Sequence, residues 1–120
     1  MLWEGGKALY NYVFLVGRLV RDLEVRKTES GHEVATMTLA VSRPFKNPQT
    51  NQYETDFLNV SLWEPVVNNV AEYSHKGDLL ALKGRIQVRK EEHDGKNIYT
   101  QEIVAERVIF LSSSNKTQEE

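Results

Sequence analysis

Residues 55–64, TDFLNVSLWE, alternate with a period of two, placing Leu58, Val60 and Leu62 on one face of a strand and Phe57, Asn59, Ser61 and Trp63 on the other. An aliphatic face is enough to fold such a strand, so two large rings on the otherwise polar face need a second explanation. Residues 34–43, VATMTLAVSR, alternate in the same way, with Ala35, Met37, Leu39 and Val41 inward and Thr36, Thr38 and Ser42 outward. Residues 12–19, YVFLVGRL, are apolar on both faces. That pattern predicts a strand with its own core on one side and a second subunit on the other. Residues 79–90, LLALKGRIQVRK, return to period two, with Leu80, Leu82, Ile86 and Val88 on one face and Lys83, Arg85, Gln87 and Arg89 on the other.

The connections complete the pattern. RPFKNPQTNQYE, residues 43–54, is rich in Pro, Asn and Gln and reads as a long hairpin loop carrying Phe45 and Tyr53 beside Arg43 and Lys46. After Trp63, Pro65 suits a first helical position, Val66, Val67, Val70 and Ala71 recur at helical spacing, and Gly77 is placed to close the helix. Asp94-Gly95 marks a tight turn, and IYTQEIVAERVIFL, residues 98–111, reads as a final strand pair. The expected organisation is an N-terminal extension over 1–10, one domain over 11–111 and a disordered polar tail over 112–120. Five short strands with one helix between the third and fourth predict an all-β chain, a small Greek-key barrel of the OB-fold type, with a β-sandwich as the competing architecture. Gly17 and Gly84, inside strands where a barrel must bend, favour the barrel.

Composition narrows the function classes. The 120 residues suit a single domain, and with no cysteine there is neither a disulfide nor a thiolate metal site, which is compatible with a reducing compartment. No apolar run approaches the roughly 20 residues of a membrane helix, and the first residues lack a signal-peptide core, so the expected location is cytoplasmic with no membrane partner. The formal net charge of −2 runs against the basic footprint usual for nucleic-acid binders. The cations are clustered, however: Arg18, Arg21, Arg26, Lys27, Arg43 and Lys46 in the first half, and Lys83, Arg85, Arg89 and Lys90 later. The acids are expected on the far side, screened within about 10 Å at 0.1 M salt.

Aromatic rings beside a row of cations are the two parts of a single-stranded nucleic-acid platform, with bases stacking on the rings and Lys or Arg following the phosphates. A strand-end Trp alone is more often a rim residue, and a cationic strand face alone is more often a solvated edge. Phe57 and Trp63 on one face, with Phe45 and Tyr53 nearby, shift the balance toward binding. His32, His75 and His93 have no metal-ligand spacing, and no phosphate-cradling glycine loop or nucleophile triad is present, so no enzyme, metal or cofactor is expected. The expected DNA-binding set is Phe45, Tyr53, Phe57 and Trp63 with Arg18, Arg43, Lys46, Lys83, Arg85, Arg89 and Lys90. Tyr12, Phe14 and Val16 are expected between subunits.

VGRL, the Asp22–Arg26 motif, the six-residue interval from Phe57 to Trp63, KGD, GRI and the closing YTQEIVAERVIFL keep one order and spacing over residues 11–111. Together they resemble the bacterial-type single-stranded DNA-binding protein family. The resemblance implies an OB-fold, a homotetramer built as a dimer of dimers, and sequence-independent binding of single-stranded DNA in replication, recombination and repair. It places stacking aromatics at Phe45, Phe57 and Trp63. A further family aromatic falls on Glu91, and a common proline falls on Leu23. The chain closes on NKTQEE, without the acidic, hydrophobic tip through which such proteins recruit enzymes, so recruitment by that route is not expected. The alternative is an accessory protein of replication restart or conjugation that acts mainly through protein partners.

Overall fold

The computed structural model describes residues 10–113. The expected N-terminal extension with Trp3, and the polar tail beyond Ser113, lie outside the described residues. The elements in chain order are β1 (Val13–Leu19), β2 (Arg26–Lys27), β3 (Glu33–Lys46), β4 (Tyr53–Trp63), α1 (Val66–Tyr73), β5 (Leu79–His93) and β6 (Lys96–Ser112). Hydrogen bonding runs β1-β5-β6-β4-β3-β2, and β1 also pairs with β3 at Arg18↔Ala40 and Leu19↔Leu39. That contact joins the two ends of the sheet, so five long strands close into the Greek-key barrel of the OB-fold. The two-residue β2 is a small addition at the β3 edge, and the helix follows the third long strand.

The barrel fills with the residues that alternate inward: Leu19, Ala35, Met37, Leu39, Val60, Leu62, Leu80, Leu82 and Ala105 are buried, and Val67 and Val70 of α1 join them. Gly17 and Gly84 stand where two backbones nearly touch. A Cβ at Gly84 would lie 2.3 Å from the Val104 carbonyl oxygen, and one at Gly17 would lie 2.6 Å from that of Ala40.

Several local expectations are corrected. The supposed loop over 43–54 is mostly strand: β3 and β4 continue as a ribbon and only residues 47–52 turn, closed by Asn47 N–H to the Gln52 carbonyl at 2.9 Å. Thr38 points outward but is buried, and its hydroxyl is satisfied there by donating to Asn59 Oδ1 at 2.7 Å. The final strand pair is one 17-residue strand, β6, whose last residue, Ser112, lies just past the expected domain boundary. Ile86 and Val88 are exposed, since the β5–β6 hairpin runs on beyond the barrel as an arm and leaves the core behind. The arm turns at Asp94 and Gly95, both with positive φ, as a two-residue hairpin requires. The helix ends at Tyr73 with Ser74 as its cap, and Gly77 lies in the following turn, where its N–H donates to the Leu19 carbonyl. Among the described residues no helix is long and apolar enough to cross a membrane.

Candidate nucleic-acid interface

β4 presents Phe57, 65% exposed, and Trp63, 40% exposed, on the outside of the barrel, while Val60 and Leu62 of the same strand are buried. Six residues of strand at about 3.3 Å each separate the rings by roughly 20 Å. Between them lie Asn59 and Ser61, paired with Thr38 and Thr36 of β3. The Thr38–Asn59 bond fixes the Asn59 carbonyl oxygen, and Arg21 Nη1 reaches Thr38 Oγ1 at 3.5 Å. The predicted set omitted Arg21 and Asn59. The clustered cations were a signal for Arg21, and for Asn59 the alternation that put it on the face of Phe57 and Trp63 was one. Arg18 lies across β3 from Phe57, each paired with Ala40, and donates to the Gly77 carbonyl at 3.0 Å.

The β3–β4 ribbon carries Phe45, 81% exposed, and an exposed Tyr53. Lys46 pairs with Tyr53, its ammonium 5.7 Å from the ring centroid. Arg43 is occupied: Nε and Nη2 donate to the two oxygens of Asp56, each at 3.0 Å, and Nη1 donates to Glu54 at 2.8 Å. The bonds to Asp56 hold the Arg43 pKa above its ordinary value and that of Asp56 below its own. Glu54 and Asp56 alternate with Phe57 along β4, so this ion pair sits on the opposite ribbon face. Arg43, expected among the DNA-binding cations, is thus engaged by two carboxylates on the face away from Phe57 and remains half-exposed.

The later cations divide as well. Arg85 donates to Glu106 at 3.1 Å and to Gln87 at 3.0 Å. Arg89 lies 3.7 Å from Glu91 and 3.9 Å from Glu102. Glu102 accepts from Ser61 at 2.8 Å and from Gln87 at 3.1 Å, tying β4, β5 and β6 together. The acids are therefore interleaved with the arginines and do not lie on a far side. Glu91, standing where an aromatic was expected, is an ion-pair partner of Arg89. Lys90 faces the other side of the arm from Arg89, across from an exposed Tyr99 that the prediction omitted. Lys83 lies 4.7 Å from the Tyr12 ring centroid and pairs with Phe14, which places it among the predicted intersubunit residues, two residues along β5 from Arg85.

That surface is coherent. Tyr12, Phe14 and Val16 are all exposed, and strand registry adds Ala81 and Ile109 beside Val16, with Lys83 and Arg107 beside Phe14. Next to Trp63, a groove of about 340 Å³ is lined by Glu64, Val66, Arg85, Gln87, Val104 and Ala105. Glu64 accepts from His32 at 3.1 Å, the main reason its pKa is lowered. Among the described residues no cluster of three or more His, Asp or Glu is placed to hold a metal.

The profile of the Single-strand binding protein family matches residues 10–111. Single-stranded DNA-binding protein 3 of Listeria innocua serovar 6a is 51% identical over 106 residues, covering 88% of this chain and 66% of that protein. Single-stranded DNA-binding protein B of Bacillus subtilis strain 168 is 43% identical over 104 residues, covering 86% of this chain and 91% of that one. The chain thus spans just under two thirds of the Listeria relative and most of the Bacillus one. A solved structure titled as a Plasmodium falciparum SSB complex with ssDNA shares the fold, with a TM-score of 0.72 at 24% identity over 87% of this chain and 96% of that one.

Proposed function

The chain belongs to the single-strand binding protein family, and from that premise we propose that it binds and protects single-stranded DNA, without regard to sequence, during replication, recombination and repair. One observation carries the reading: Phe57 and Trp63 project from the outside of a strand whose other face is already core. Unpaired bases stack on these rings for about 1–3 kcal/mol each, a range to which single-strand binding proteins themselves contributed. Every base has a π-face, so this contact is blind to sequence. Phe45 and Tyr53 extend the aromatic set along the ribbon, and Lys46, Arg18, Arg21, Arg85 and Arg89 follow the phosphates.

The protein acts without catalysis, in the cytoplasm, as a homotetramer built as a dimer of dimers. The exposed Tyr12, Phe14 and Val16 support subunit contact through β1. Titration of a labelled oligo-dT is the test: Trp fluorescence is quenched on binding, and log K falls with log salt by about 0.7 for each phosphate neutralised. Equal affinity for duplex and single strand refutes the proposal.

A further inference from the structure

The groove beside Trp63 has an unusual polar wall. Its floor is Val104 and Ala105, and its donors are Arg85 and Gln87, each already engaged by a glutamate of β6. Glu106 takes Arg85 at 3.1 Å. Glu102 is the more enclosed of the two carboxylates, its side chain 12% exposed. Ser61 and Gln87 each donate to one of its oxygens, and Arg89 lies within ion-pair distance at 3.9 Å, shared with Glu91 of its own strand at 3.7 Å. A carboxylate held by two neutral donors is a fixed negative charge beneath the arginines. The donors it and Glu106 occupy are the ones a backbone phosphate would use. Lys46 and Lys90, by contrast, have no carboxylate within ion-pair distance among the described residues.

We propose that Glu102 and Glu106 are affinity-setting residues: they hold Arg89 and Arg85 as internal competitors of phosphate, and the groove beside Trp63 takes the nucleotide next to the one stacked on that ring. This rests on the single-stranded DNA reading and deepens it. Binding here is an exchange, in which a phosphate gains a guanidinium only as a carboxylate loses it. The salt dependence therefore reports fewer phosphates than the cations on this face would supply. On release Arg85 is recaptured by Glu106 and Arg89 by Glu102 together with Glu91, which favours departure of the strand. The arrangement also gives the net charge of −2 a local meaning, since part of the acid balance restrains the binding face.

The test compares wild type, Glu102→Gln and Glu106→Gln in oligo-dT titrations from 50 to 300 mM salt. Each substitution keeps the side-chain shape and removes one charge. The expected result is a slope steeper by about 0.7 and, at 0.1 M salt, binding about fivefold tighter. Glu106 is on the surface, so its variant keeps the experiment decisive if Glu102→Gln does not fold. Unchanged slopes, or weaker binding by folded variants, overturn the proposal and leave the two glutamates as structural ties. Failure of the underlying reading looks different: wild type itself would show no preference for single strand over duplex.

Discussion

Removing the ring at Phe57 or Trp63 by substitution with Ala is expected to weaken oligo-dT binding by about 1–3 kcal/mol each, roughly 5- to 150-fold, with thermal stability nearly unchanged. Both rings stand on the outer face and not in the core, so affinity and melting temperature separate the two roles. Arg43 has a different signature. Because the Asp56 pKa is lowered in the folded state, the ion pair stabilises above the ordinary aspartate range, and that contribution disappears as pH falls through the depressed value. In an NMR pH titration, Arg43→Gln should move the Asp56 midpoint back up, and the stability difference between variant and wild type should vanish in acid. The rings were legible in sequence because period-two alternation alone decides which face they occupy. The arginines' partners were not: Arg85 meets Glu106 from 21 residues away and Arg43 meets Asp56 from 13.

At the scale of elements, alternation located the long strands, since burying one face requires it. It could not tell where a strand leaves the barrel. Ile86 and Val88 continue the inward register of Leu80 and Leu82 yet are exposed, because the arm has no opposing sheet to cover them. Substituting Leu62 by Ala should cost about 2–5 kcal/mol in urea unfolding, as a fully buried leucine at the barrel centre leaves a cavity. The two glycines of the β5–β6 hairpin differ sharply. Gly84→Ala places a methyl 2.3 Å from a carbonyl oxygen and is expected to abolish the folded barrel, seen as loss of soluble, cooperatively unfolding protein. Gly95, with φ +75° and open space around it, should cost only about 1–2 kcal/mol when replaced by Ala.

For the whole molecule, the β1 surface makes the clearest prediction. Phe14 is 74% exposed, so Phe14→Glu should leave the fold intact and lower the assembly state measured by light scattering at micromolar concentration. A tetramer that survives this change would remove β1 from the interface. By itself the sequence determined the barrel, its core and the faces bearing the aromatic rings, because these follow from local periodicity and from glycines where backbones converge. Only the tertiary structure decided which cations are available. Ion pairing depends on strand registry, of β3 against β4 for Arg43 and of β5 against β6 for Arg85 and Arg89, and registry brings together charges that are not neighbours along the chain.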